Sequence, residues 1–331
     1  MINDAMYEKF VEKVDVAKTI SIFMHVNPDG DCVGASLALY TYLTNMGKIA
    51  HCYIEPGHEI PQNLTFLPNI SLFNSKSLKW YDLAIVVDCG DANRLGLVCY
   101  EKFLCSDDKL VIDHHFVNVP FTDDIILEPK ASSTTEILFK LFEFYNPKFI
   151  DKMVATYLFT GLITDTGSFV YPNTNALTYK VAADLCKYGI NNYEIVRNAI
   201  SDYSSNAFAL KNRVLSKALF SHENKLVIIS FTKDDFDATN TSHSDSKCVI
   251  GDVINIKEVL LAVFISATKI ETEFKVSLRS KDYVNCSMVA QYFSGGGHFH
   301  ASGCRIQADS IEAARLQILK TIEVTQCLVD L

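Results

Sequence analysis

Four apolar runs in the first half of the chain are continuous rather than alternating: ISIFMHV at 20–26, IAHCYI at 49–54, LAIVVD at 83–88 and KLVIDHH at 109–115. Unbroken runs of this kind, rich in β-branched residues, suit strands covered on both faces, as in a parallel sheet. Helical patterns alternate with them, as in ASLALYTYLTNMG (35–47), STTEILFKLFEFY (133–145) and DKMVATYLFTGLITD (151–165). This half is predicted to be an α/β layer with a parallel sheet. From about 174 to 222 the pattern stays helical, with NALTYKVAADLCKYG closing on Gly189. The remainder offers three strands, KLVIISF (225–231), VLLAVFISAT (259–268) and EFKVSLRS (273–280), with helices near 286–293 and 310–327. That composition predicts a smaller mixed α+β domain.

Length and charge narrow the partners. The chain has 331 residues, 49% hydrophobic and 21% charged, a globular composition at a length that suits two domains. Its formal net charge of -9 provides no global basic field for long duplex nucleic acid, so a nucleic-acid partner is expected to be short or met by local charge. Ten cysteines occur without a CxxC pair, which points to free thiols in a reducing compartment. The start of the chain carries Asp4, Glu8, Glu12 and Asp15 in an amphipathic pattern unlike a targeting peptide. The longest apolar stretch is too short to span a bilayer. The expectation is a cytoplasmic protein with no membrane partner.

Acids and histidines gather where the apolar runs end. FMHVNPDGDCVGAS supplies His25, Asp29 and Asp31; IVVDCGD supplies Asp88; VIDHH supplies Asp113, His114 and His115; GLITDTGSF supplies Asp165. The four stretches read as strands whose C-termini open on one edge of a parallel sheet, the edge where ligands bind. Asp29 and Asp31 are expected on the same side of an extended segment. Several bare carboxylates within a few Å repel one another, and divalent metal relieves this. Two histidines and four acids suit one or two ions of the Mn²⁺, Mg²⁺ or Zn²⁺ kind. A lone Asp at a strand end is commonly a helix cap, and it is the fourfold recurrence that favours a metal site. Asp113, beside a histidine, is better suited to orienting a ring than to ligation. Cys32 and Cys89 are read as packing.

A second constellation lies in VSLRSKDYVNCSMVAQYFSGGGHFHASG. Gly295, Gly296 and Gly297 free the backbone to approach a ligand closely, and their N–H groups can line an anion pocket. His298 and His300 follow, and Arg279 near the end of the preceding strand carries a fork suited to phosphate. Phe299 is a candidate surface for base stacking.

At these residues the sequence resembles the DHH phosphoesterase family, in the branch whose second domain carries a GGGH motif: small bacterial oligoribonucleases (nanoRNases) and 3′-phosphoadenosine 5′-phosphate phosphatases. The likeness runs over nearly the whole chain in the order His25, Asp29, Asp31, Asp88, the triplet, Asp165, RSK and GGGHFHASG, with Ser294 where a fourth glycine is common. It implies a catalytic metal-binding domain at 1–190, a helical linker at 191–222 and a substrate-binding domain at 223–331. It further implies two Mn²⁺ ions, with Mg²⁺ or Co²⁺ as substitutes, one held by His25 and Asp29 and the other by Asp31, His114 and Asp165. Asp88 would bridge them. His115 would face the substrate phosphate, and Arg279, Gly295, Gly296, Gly297, His298 and His300 would grip the substrate. The family places its active site between the two domains, and the resemblance leaves room for a homodimer.

The implied activity is metal-assisted hydrolysis of short single-stranded oligonucleotides or small nucleotides, with no covalent nucleophile. Close alternatives are hydrolysis of cyclic di-AMP or of linear pApA. Two alternatives of other kinds are an inorganic pyrophosphatase, disfavoured by the GGGH segment, and a non-catalytic nucleotide-binding module, disfavoured by the complete ligand set.

Overall fold

The computed structural model describes residues 4–115, 120–201, 204–268 and 270–328. The chain divides into two compact units, residues 1–202 and 203–331. Among the described residues no helix is long and apolar enough to cross a membrane.

The first unit contains α1 (Asp4–Val16), β1 (Thr19–Phe23), α2 (Gly30–Asn45), β2 (Ile49–Tyr53), β3 (Leu83–Val87), α3 (Leu97–Leu104), β4 (Asp108–Asp113), β5 (Ile125–Leu127), α4 (Thr134–Tyr145), α5 (Lys152–Asp165), α6 (Ala176–Cys186) and α7 (Asn192–Val196). Its five strands lie in the order β2-β1-β3-β4-β5, and every pair is parallel. The predicted α/β architecture is therefore present. Ile85 and Val87 point to a core shared with helices α1, α2, α4 and α5, while Ala84 and Val86 point to a smaller core with Cys99 and Phe103 of α3. Burial on both faces explains why β3, LAIVV, is apolar at every position.

The strand order reverses between β1 and β3: the chain leaves β1 toward β2, then crosses back. Chain segments leaving the two strand ends diverge at such a point and leave a crevice. Helices α2 and α5 close one side of it by packing at van der Waals distance. A Cβ on Gly34 would stand 2.6 Å from the Tyr157 carbonyl, so only glycine permits this approach.

The second unit contains α8 (Ser205–Leu215), β6 (Leu219–Ser221), β7 (Leu226–Phe231), α9 (Lys233–Thr239), α10 (Lys247–Ile254), β8 (Leu261–Ala267), β9 (Glu273–Ser280), α11 (Ser287–Tyr292), β10 (Gly296–His298), β11 (Ala301–Gln307) and α12 (Ile311–Thr325). Its six strands run β10-β11-β9-β8-β7-β6, antiparallel except for the β7–β8 pair. The mixed α+β character agrees with expectation, but the sheet has twice the three predicted strands. Strand β11 carries a period-2 burial pattern on Ser302, Cys304 and Ile306, and two of these are too small to give an apolar signal.

Candidate metal centre

Strand ends and helix ends together bring the predicted acids and histidines of the first unit to the β1/β3 switch point. His25 follows β1 by two residues, and Asp88 follows β3 directly, in a left-handed conformation with φ 58°. Its N–H donates to the Ile112 carbonyl at 2.9 Å, which ties this turn to β4. A non-glycine residue held there is a strained position of the kind that gathers at functional sites. Asp113 ends β4, and His114 and His115 follow it.

Two expectations are corrected. Asp29 and Asp31 do not lie on an extended segment: Asp29 is the N-cap of α2, its Oδ1 accepting from the N–H groups of Asp31 and Cys32 at 3.1 and 3.2 Å, and Asp31 sits in the first helical turn. Asp165 does not end a strand but is the last residue of helix α5. That helix is buried at every position from Tyr157 to Ile163, so its sequence lacks a polar stripe and imitates a buried strand. The placement also matters electrostatically. Asp31 enjoys the positive end of a helix dipole, whereas Asp165 sits at a negative end and needs positive charge from elsewhere.

Both imidazoles are prepared as ligands. His25 Nδ1–H donates to its neighbouring Val26 carbonyl at 2.8 Å, and His114 Nδ1–H donates to the Ala131 carbonyl at 3.2 Å. Each Nε2 is buried without a hydrogen-bond partner. His25 Nε2 stands 3.6 Å from Asp29 Oδ2 and 3.6 Å from Asp88 Oδ2. His114 Nε2 stands 3.6 Å from Asp88 Oδ1, 3.4 Å from Asp165 Oδ2 and 4.0 Å from Asp31 Oδ2. Most of these gaps are long for hydrogen bonds, and they approach the roughly 3.0–3.4 Å between two ligands that each sit about 2.1 Å from one ion. Asp88 turns one oxygen to each histidine.

Among the described residues, three sets of ligand atoms lie within 4.8 Å of one another: His25, Asp29, Cys32 and Asp88; Asp88, His114 and His115; Asp31, His114 and Asp165. Cys32 qualifies by distance alone. Burial pushes its thiol up to about 12, and its sulfur already meets Met24 Sδ and the Asp29 carbonyl. Burial and the Asp31 charge push the Asp88 carboxyl up to about 8. Burial, Asp31 and Asp88 lift Asp165 well above the usual carboxylate range. Among the described residues no lysine or arginine forms an ion pair with Asp29, Asp31, Asp88 or Asp165. Orphaned Nε2 atoms and crowded carboxylates without a lysine or arginine ion pair fit divalent metal, Arg94 acting on Asp29 only from beyond ion-pair distance.

Asp113 is fully buried, and its Oδ1 accepts from the N–H groups of His114 (2.8 Å) and His115 (3.2 Å) and from His115 Nδ1 (2.8 Å). It therefore fixes the His115 ring. The His114 ring is fixed by the Ala131 carbonyl instead.

In the second unit, strand register puts Arg279, Ala301 and His298 in one rung across β9, β11 and β10. Arg279 Nη1 donates to the Leu278 carbonyl at 2.8 Å, and His300 Nδ1 meets Ser280 Oγ at 3.1 Å. Gly297 has φ 139°, and a Cβ there would stand 2.5 Å from the Ala301 carbonyl, so this glycine is required by its own hairpin. Gly295 likewise packs against Gly303, whereas Gly296 faces open space. The His298 side chain lies outside the described residues. Phe299 is half exposed, edge-on to His300.

Two family models match the chain in sequence: the DHH family N-terminal domain at residues 19–162 and the DHHA1 domain at residues 219–323. The chain carries a DHH N-terminal domain followed by a DHHA1 domain. The chain is 29% identical over 322 residues to the bifunctional oligoribonuclease and PAP phosphatase NrnA of Thermus thermophilus, covering 96% of this chain and 94% of that protein. It is 22% identical to the cyclic-di-AMP phosphodiesterase PdeA of Listeria monocytogenes, covering 94% of this chain and 48% of that one. The crystal structure of an exopolyphosphatase-related protein from Bacteroides fragilis superposes with a TM-score of 0.90 at 27% identity, covering 98% and 99% of the two chains.

Sequence reasoning missed the polar start of α4, residues 132–136 (SSTTE), whose hydroxyls and amides reach Asp31 and Asp88. A run of four hydroxyl residues ahead of an apolar helix was the available signal. Ser133 with Glu136 resembles an ordinary capping pair, which concealed it.

Proposed function

We propose that this chain is a divalent-metal-dependent phosphoesterase that hydrolyses very short oligonucleotides and 3′-phosphoadenosine 5′-phosphate. The observation that carries this reading is the pair of buried Nε2 atoms facing carboxylates, with Asp88 turned to both. Similarity along nearly the whole chain to an oligoribonuclease and PAP phosphatase supports the substrate class. The net charge of -9 supports small substrates over long polyanions.

His25 and Asp29 hold one Mn²⁺ in this reading, Asp31, His114 and Asp165 hold the second, and Asp88 serves both. Bound there, the ions supply Lewis-acid charge at a phosphoryl oxygen and acidify water. The chain's own residues supply orientation. Asp113 fixes the ring of His115, which contacts the phosphate, and the Val26 and Ala131 carbonyls fix the tautomers of His25 and His114. Arg279, Gly295, Gly296, Gly297, His298 and His300 are the proposed substrate contacts of the second unit.

The test is a panel of di- to pentanucleotides, 3′-phosphoadenosine 5′-phosphate, linear pApA, cyclic di-AMP and pyrophosphate, each assayed with Mn²⁺. Release of mononucleotide from the shortest oligomers and of phosphate from 3′-phosphoadenosine 5′-phosphate is expected. No turnover of any compound would sink the proposal. Preferential turnover of cyclic di-AMP would favour a cyclic-dinucleotide phosphodiesterase, which the likeness to PdeA keeps in view.

A further inference from the structure

Residues 132–136 are all polar and all fully buried. Capping α4 requires only one of them: Ser133 is the N-cap, its Oγ accepting from the Glu136 N–H at 3.0 Å. Ser132 Oγ and Thr178 Oγ1 donate to Glu136 Oε2 at 2.7 and 3.2 Å, which anchors the turn from below. The other two hydroxyls point elsewhere. Thr135 Oγ1 donates to Asp31 Oδ1 at 2.8 Å, beside the N–H groups of Thr134 and Thr135, which reach Asp31 Oδ2 and Oδ1 at 2.6 and 3.0 Å. Thr134 Oγ1 donates to Asp88 Oδ1 at 2.9 Å. Among the described residues that is the only hydrogen bond to the Asp88 carboxylate.

We propose that Thr134 is a positioning residue for the metal-dependent reaction, with Thr135 in a lesser role. The Thr134 hydroxyl fixes the torsion of the Asp88 carboxylate so that Oδ1 stays with His114 while Oδ2 stays with His25. Without it the carboxylate rotates, and one of the two histidines loses its shared partner. Asp31 is less dependent on its hydroxyl donor, because two backbone amides grip both of its oxygens. The helix end thus serves two ligands unequally: Asp31 through the backbone, which no side-chain change short of proline removes, and Asp88 through one side chain. Asn173 extends the same turn to a third, its Nδ2 donating to the carbonyls of Ser132 and Asp165 at 2.9 and 3.1 Å.

This inference rests on the metal-dependent reading above, and the experiment separates the two. Metal-free wild type, Thr134→Val, Thr134→Ser and Thr135→Val are titrated with Mn²⁺ by calorimetry, with circular dichroism as the check on folding. Valine keeps the buried volume and removes the donor, while serine keeps the donor. Thr134→Val is expected to bind Mn²⁺ about 10- to 100-fold more weakly, the usual cost of losing a group that orients a ligand. Thr134→Ser is expected within about threefold of wild type, and Thr135→Val between the two. A purely structural role for Thr134 would lower the melting temperature and leave Mn²⁺ affinity unchanged, and that result overturns the inference. If wild type binds no Mn²⁺, the metal-dependent reading falls and takes the inference with it. Should Thr134→Val fail to fold, Thr134→Ala is read by the same criterion.

Discussion

Asp235 in the second unit and Asp88 in the first are both buried carboxylates, and their surroundings treat them in opposite ways. Asp235 Oδ1 accepts from Arg213 Nε at 2.6 Å and Lys217 Nζ at 2.5 Å, and its Oδ2 accepts from the Thr232 N–H and hydroxyl at 3.1 and 2.8 Å. Burial alone would raise its carboxyl, but these donors, led by Lys217, outweigh burial and hold it down to about 2. Asp88 has one hydroxyl donor and three imidazoles, of His25, His114 and His115, at 3.6 Å, and burial with the Asp31 charge pushes it up to about 8. A buried acid with its own cations needs nothing from solution. A group of acids without such ion pairs, Asp31 and Asp88 buried among them, is built to receive a cation.

Substituting Asp88 tests the comparison most severely. Asp88→Asn is expected to lower Mn²⁺-dependent hydrolysis by about a thousandfold, because several kcal/mol of charge stabilisation depend on the ions it helps to hold. Melting of the metal-free protein should move the other way, staying level or rising, since the substitution removes one of several repelling carboxylates. A metal-free variant that melts well below wild type would mean that Asp88 is structural, like Asp235.

The mirror experiment is Asp235→Asn. It is expected to destabilise the protein by about 1–3 kcal/mol in chemical denaturation, through loss of charge-assisted hydrogen bonds. Mn²⁺ affinity should not change. Weakened metal binding in this variant would erase the distinction between the two acids.

A smaller effect is set by pH. Because the folded-state carboxyl of Asp235 lies below its ordinary value of 3.8, its contribution is complete above about pH 4 and is lost as pH falls toward 2. Denaturation followed across that window should lose stability more steeply in wild type than in Asp235→Asn. Parallel slopes would remove Asp235 from the account of acid sensitivity.

Much of the first unit was legible because burial on both faces leaves a plain mark: LAIVVD and KLVIDHH could hardly be anything but interior strands, and the polar residues at their ends stood out against them. His25, Asp88 and His114 lie where that pattern put them. Asp165 was legible as a site residue, but its segment was read two ways, as the end of a helical pattern over 151–165 and as a strand end, because the positions from Tyr157 to Ile163 are all buried and leave no polar stripe to separate the two. The first turn of α2 hid its geometry for a different reason: the Asp-x-Asp spacing fits a capped helix as well as an extended loop, and only the Asp29 cap decides between them. Thr134 and Thr135 were visible only as part of a hydroxyl run ahead of an apolar helix, with nothing to show what they touch. Their partners, Asp88 and Asp31, are 46 and 104 positions away in sequence, and no local pattern reports such a contact. In the second unit β11 escaped because its inward positions are small, and Gly297 was legible as conformationally special but not as a residue its own hairpin demands.

The central claim is that the first unit's carboxylates and histidines form a divalent-cation site organised by Asp88. Calorimetric titration of the metal-free protein with Mn²⁺, wild type beside Asp88→Asn, tests it directly. The prediction is two ions bound per wild-type chain and an affinity at least about tenfold weaker in the variant. Wild type that takes up no Mn²⁺, or a variant that binds it as tightly as wild type, would contradict the claim.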